Sequence, residues 1–146
     1  MHFVRNFIFP ALLVATACRS TSEQPEIAFE RVMSSQVGFS MQPKNAVIRS
    51  DEEWREICKL NSPGMEPPTL KVDWSNSMLI VVGLGERPSG GYGVAIDSVT
   101  RQGSHWIVRA RETRPAPGSL QATIVTSPFD CVRTPRFDGR VSFTVE

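Results

Sequence analysis

Met78-Leu79-Ile80-Val81-Val82-Gly83-Leu84 contains no polar side chain. A strand with one face in water alternates apolar and polar residues, whereas an unbroken apolar run of this length fits a central strand covered on both faces. The rest of the chain supplies candidates for its neighbours. Downstream, Gly93-Val94-Ala95-Ile96-Asp97-Ser98-Val99 reads as a second strand and Arg101-Gln102-Gly103-Ser104 as a hairpin turn. Trp106-Ile107-Val108-Arg109-Ala110-Arg111-Glu112 then returns, with Trp106, Val108 and Ala110 on one face. Ala122-Thr123-Ile124-Val125-Thr126 reads as a further strand, followed by Cys131-Val132-Arg133, and Val141-Ser142-Phe143-Thr144-Val145 alternates cleanly.

Upstream, Phe29-Glu30-Arg31-Val32-Met33 alternates weakly, Ala46-Val47-Ile48 is a short apolar run, and Pro67-Pro68 opens an extended segment. One helix interrupts this pattern. Ser50 with Glu53 forms a capping box, in which the Ser hydroxyl and the Glu carboxylate satisfy free amides at the helix start. The acids Asp51, Glu52 and Glu53 suit the positive end of the helix dipole. Trp54, Ile57 and Cys58 fall at helical spacing, and Asn61-Ser62-Pro63-Gly64 ends the element, so a helix is expected over 51–60. The fold class is therefore mainly β: an antiparallel β-sandwich or a partly open barrel, with one short α-helix.

The first residues have a separate job. Arg5 precedes the apolar stretch Phe7-Ile8-Phe9-Pro10-Ala11-Leu12-Leu13-Val14-Ala15-Thr16-Ala17, which is too short to span a bilayer needing about 20 apolar residues. A basic start, a short apolar core and small residues before a break is the pattern of a secretory signal peptide. Ala15-Thr16-Ala17-Cys18 resembles the lipobox of bacterial lipoproteins, with Ala15 where Leu is usual. The expected organisation is a signal peptide over 1–17, a lipid-anchored linker over 18–27 beginning at Cys18, and one β domain over 28–146. The protein is then exported and held in the cell envelope by a membrane anchor.

The chain has 16 Lys and Arg, of which Arg5 alone falls in the signal peptide, and 15 Asp and Glu, so the exported part is balanced. Nothing in it predicts nucleic-acid binding. Cys58 and Cys131 remain besides Cys18. In an oxidising compartment they could form a disulfide, or stand as two separate buried thiols.

Catalytic signals are weak. Past the signal peptide the one His is His105, beside the hairpin turn, and a Ser89 or Ser119 hydrolase would have to use it as base. Neither serine sits in a strand-to-helix elbow. One His and two separated Cys make no metal-ligand cluster. Gly83-Leu84-Gly85 lacks the third Gly and the following helix of a nucleotide site. No catalytic residue, metal or cofactor is expected.

Two stiff loops remain. Gly85-Glu86-Arg87-Pro88-Ser89-Gly90-Gly91-Tyr92-Gly93 joins two strands. Pro88 fixes one backbone angle, Gly90 and Gly91 allow positive φ, and together they could present Tyr92, the only Tyr in the chain. The alternative is a Tyr packed on the sheet. Thr113-Arg114-Pro115-Ala116-Pro117-Gly118-Ser119 is a second such connection. Stiff loops at strand ends are how scaffolds often display binding residues. The candidate binding residues are Arg87, Pro88, Ser89, Gly90, Gly91, Tyr92, Arg114, Pro115, Pro117 and Gly118.

These loops, with Thr126-Ser127-Pro128-Phe129, Gln36-Val37-Gly38-Phe39 and the helical Glu53-Trp54, resemble the PrcB C-terminal domain family from about Ala28 to the end. That family takes its name from a bacterial lipoprotein that associates with a secreted protease and stabilises it. The resemblance implies a non-enzymatic binding role, with an exported protein such as a protease as partner. The loop pair is also similar to that of chagasin-type cysteine-protease inhibitors, whose loops read Asn-Pro-Thr-Thr-Gly-(Tyr/Phe) and Arg-Pro-aromatic. Here the Asn and both Thr positions differ and Ala116 replaces the aromatic residue. An immunoglobulin-like sandwich is the fold this analogy implies. Against the binding module stand a structural envelope lipoprotein with no protease partner and, from another class, the serine hydrolase.

Overall fold

The computed structural model describes residues 24–36, 42–61, 64 and 66–146. The signal segment 1–17, Cys18, the linker as far as 23, Val37-Gly38-Phe39 and the helix-ending Ser62-Pro63 lie outside the described residues. Seven strands and one helix follow in order: β1 (Glu30–Ser35), β2 (Lys44–Ile48), α1 (Asp51–Asn61), β3 (Ser77–Gly83), β4 (Gly93–Gln102), β5 (His105–Thr113), β6 (Phe129–Pro135) and β7 (Arg140–Val145). They form two sheets, β1-β6-β3-β2 and β4-β5-β7, stacked as a sandwich.

The apolar run at 78–84 occupies the place its composition requires. β3 sits inside the larger sheet, antiparallel to both β2 and β6. Met78, Ile80 and Val82 point between the sheets and pack with Ile96, Val99, Trp106, Val108, Ala110 and Val132. Leu79 and Val81 point the other way, into a cluster with Ile48, Phe129, Cys131 and Trp54 and Ile57 of α1. The helix therefore covers the outer face of this sheet, and β3 is buried on both sides. The helix start is as expected: Ser50 Oγ accepts the Glu53 N–H at 3.1 Å, and Glu53 reaches back to the Arg49 N–H at 2.6 Å.

A buried charge fastens the two sheets. Asp130 on β6 is fully buried and accepts the Ile96 N–H of β4 at 2.7 Å. It also accepts Arg31 Nε at 2.8 Å, while Arg31 Nη2 donates to the Ile96 carbonyl at 3.1 Å. Ile96 stands where the β4–β5 register shifts, and Asp130 takes up the amide that the irregularity leaves for a partner outside the sheet.

Of the two architectures expected, the sandwich holds, because the strands form two separate layers. Two expectations are corrected. One pair is not antiparallel: β7 runs parallel to β5, with His105 opposite Arg140 and Ala110 opposite Val145. The chain arrives there from β6 in the other sheet, and a crossover delivers it at the end where β5 begins. The segment 122–126 is not a ladder strand; its one bridge is Thr126 to Arg87.

Candidate functional site

Strand registers decide where the two loops lie. β3 ends at Gly83, which pairs with Phe129 at the start of β6. β4 begins at Gly93, which pairs with Thr113 at the end of β5. The connections 84–92 and 114–128 therefore leave and reach adjacent positions, each crossing from one sheet to the other at the same end of the sandwich.

The backbone joins them further. Arg87 N–H donates to the Thr126 carbonyl at 2.7 Å, Thr126 N–H to the Arg87 carbonyl at 3.0 Å, and Gly90 N–H to the Ala122 carbonyl at 3.0 Å. Thr126 Oγ1 adds a bond to the Ser89 carbonyl at 3.0 Å. The second loop starts with a turn in which Ser119 N–H donates to the Ala116 carbonyl at 3.0 Å and Gly118 has φ +76°. Pro at the second position and a left-handed Gly at the third are what a type II turn demands. The chain then comes back across the first loop, so that loop is flanked by the β5 end on one side and by residues 122–126 on the other.

Gly91 marks the closest approach. Its φ is +83°, and an added Cβ would lie 2.7 Å from Gln121 Cδ and 3.0 Å from Pro115 Cβ. Gly90 is buried beneath Ala122. Pro88, Pro117 and Gly118 are exposed, whereas Ser89 and Pro115 are half-buried.

Charge organises the base of the site. Glu112, its side chain 13% exposed, lies with Oε1 3.4 Å from Arg87 Nε and 3.2 Å from Arg114 Nε. Burial pushes its carboxyl up, but hydrogen bonds from Arg114 and Arg87 and their positive charges outweigh that and hold it below the usual carboxylate range. Arg87 is further fixed by donating Nη1 to the Leu84 carbonyl at 2.8 Å, and its guanidinium lies 5.9 Å from the centre of the Tyr92 ring. Tyr92 is half-buried and belongs to neither apolar cluster. Arg114 is 74% exposed.

Residues 78–135 match the PrcB C-terminal family. The matched stretch runs from β3 to the last residue of β6 and contains both loops, so the resemblance drawn from the loop residues is borne out. No curated protein and no solved structure matches the chain.

Other candidates fall elsewhere. His105 begins β5 at the hairpin end, while the loops meet the sheet at Gly93 and Thr113. Eight strand steps separate the two ends, about 26 Å, so His105 is out of reach of Ser89 and Ser119 and the hydrolase reading fails. Among the described residues no group of three or more His, Cys, Asp or Glu is placed to hold a metal ion. Of the two readings open for Cys58 and Cys131, the disulfide fails: both are free thiols. Cys131 points from the central β6 into the cluster under the helix, Cys58 packs against that cluster from α1, and each acts as a small apolar side chain. Burial pushes the Cys131 thiol up to about 12, which suppresses the thiolate needed for exchange.

Two parts of the site were not foreseen. Glu112 read only as the polar end of a strand, although two Arg near it in the folded chain make it their shared acceptor. Ile124 and Val125 read as part of a strand, yet they are 53% and 59% exposed, and Leu120 before them is 100% exposed.

Proposed function

We propose that this chain is a non-catalytic, exported binding module whose loop pair docks an exported protein partner within a protease complex. The observation that carries the reading is the union of the two loops at one end of the sandwich, with Arg87 and Arg114 sharing Glu112 and Tyr92 beside Arg87. Tyr and Arg are frequent interface hot spots, and loops already ordered by Pro, Gly and mutual hydrogen bonds lose little further entropy on binding. The family match supports the class of partner, because the family is named for a protease-associated lipoprotein. The export pattern of residues 1–17 supports secretion, and Ala15-Thr16-Ala17-Cys18 supports a lipid anchor on Cys18, with 18–27 as linker and 28–146 as the domain.

The test is co-purification from membranes of the producing cell, using the full chain with its anchor. An exported protease should be retained with the wild-type chain and depleted with Tyr92→Ala. Cys18→Ser should release the chain, with its partner, from the membrane. Equal recovery with Tyr92→Ala, or no partner, contradicts the reading.

A further inference from the structure

The return leg of the second loop is apolar where it should not be. Leu120 is fully exposed and Ile124 and Val125 are more than half exposed, although all three are residue types that fold inward when cover is available. They share one short strip of chain, 120–125, held against the first loop by the Gly90–Ala122 and Arg87–Thr126 bonds. Leu60 and Val145 are exposed singly elsewhere, whereas three exposed apolar residues in one short stretch mark a place for a partner.

Charge narrows the choice. Residues 87–96 and 113–129 include two cations, Arg87 and Arg114, and no Asp or Glu. Of the acids at this end, Glu112 lies between those two Arg and is largely buried, while Glu86 on the first loop and Glu146 beside the end of β5 are exposed. The strip's own loop, residues 113–129, therefore offers aliphatic side chains and one exposed guanidinium, that of Arg114.

The direction of the chain narrows it again. Pro25 accepts the Arg101 N–H at 2.9 Å, and Ile27 donates to the Val99 carbonyl at 2.8 Å, antiparallel to β4. The polypeptide thus reaches β4 from the hairpin end, and the loops lie at the other end, about 30 Å further along the strand. Seven residue steps separate Cys18 from Pro25 and span at most about 25 Å. An anchor at Cys18 approaches the domain from the end opposite the strip. The strip then faces away from that membrane, toward proteins in the aqueous space.

Resting on the reading of the loop pair as a docking surface, we propose that Leu120, Ile124 and Val125 insert into an apolar recess of a partner protein, and that carboxylates rimming that recess pair with Arg114. Leu120 is the leading side chain, and Arg114 sets orientation and association rate.

The experiment places a benzophenone amino acid at position 120 in the full chain, expressed in its own producing cell, with position 102 at the hairpin end as control. Illumination should join position 120 to one exported protein at least about tenfold more than position 102 does. The cross-linked peptide should hold apolar residues beside Asp or Glu. Arg114→Glu should reduce the yield about tenfold, and Arg140→Glu, at the hairpin end, should leave it unchanged. Cross-linking to lipid, to a second copy of this chain, to a peptide without carboxylates, or insensitive to Arg114→Glu overturns the proposal. So does the absence of any adduct. If a partner still co-purifies and still depends on Tyr92 in that case, the loop pair binds but not through this strip.

Discussion

Arg87 and Thr126 face each other as an antiparallel pair, their amides and carbonyls exchanged at 2.7 Å and 3.0 Å. Neither residue belongs to a named strand. Their pairing turns two connections distant in the chain into one structural unit, and it places Arg87 to share Glu112 with Arg114.

That unit should respond to acid. Glu112 has its carboxyl held below the usual range, so its contribution to stability is present above the unfolded value near pH 4.3 and is lost as pH falls through the lower folded value. The urea midpoint of the wild type should therefore fall as the pH is lowered from about 5 toward about 3. Glu112→Gln should be less stable than wild type at pH 7, and that deficit should shrink at pH 3. A deficit that is the same at both pH values contradicts the assignment.

Gly91 should be intolerant of a side chain. At φ +83° an Ala costs about 1–2 kcal/mol from backbone strain alone, and the added methyl presses on Gln121 and Pro115. Gly91→Ala should lower stability by that amount in a denaturant titration and raise hydrogen exchange at the Gly90 amide, which the Ala122 carbonyl now protects. Unchanged exchange there argues that the loops do not depend on this contact.

The Asp130–Arg31 pair should be the most sensitive polar contact. Removing Asp130 leaves the buried Ile96 amide without its acceptor, while Arg31, at the sheet edge with its side chain partly in water, can be solvated. Asp130→Ala should cost about 1–3 kcal/mol. Arg31→Met should cost more, about 3–5 kcal/mol, because it leaves the fully buried Asp130 carboxylate without its countercharge.

Cys58 and Cys131 should both alkylate when the purified protein is unfolded without reductant, and Cys131 should be unreactive in the folded protein because its thiol is buried and its thiolate suppressed. Mass spectrometry of the alkylated chain counts them. A two-hydrogen mass deficit with no alkylation at either position would show a disulfide.

Much of the fold was legible because local signals and burial agree. The apolar run of β3 has no alternation because apolar layers press on both its faces, and the Ser50–Glu53 box states where α1 begins. The side-by-side loops followed from the hairpin near Gly103, since two strands joined at one end have their other ends together. The parallel placement of β7 was not legible, because its alternation records only which residues face inward and not which neighbour it joins. Residues 122–126 misled for a related reason. Their β-branched composition suits a strand, but the Ile124 N–H turns back to the Ala122 carbonyl and only Thr126 makes a bridge, and composition does not say whether a second layer covers them. Cys58 and Cys131 share a compartment argument with disulfides, yet their side chains serve an apolar cluster.

The central claim is that the loop pair binds and does not merely brace the sandwich. The most direct measurement is the Kd of the purified exported partner for wild-type chain and for Tyr92→Ala, with thermal melts of both chains in parallel. The account predicts a loss of affinity above about 1 kcal/mol, roughly fivefold, with a Tm change below about 4 °C, since Tyr92 lies outside both apolar clusters. Unchanged affinity, or a chain that unfolds as a buried aromatic truncation would at about 3–5 kcal/mol, contradicts it.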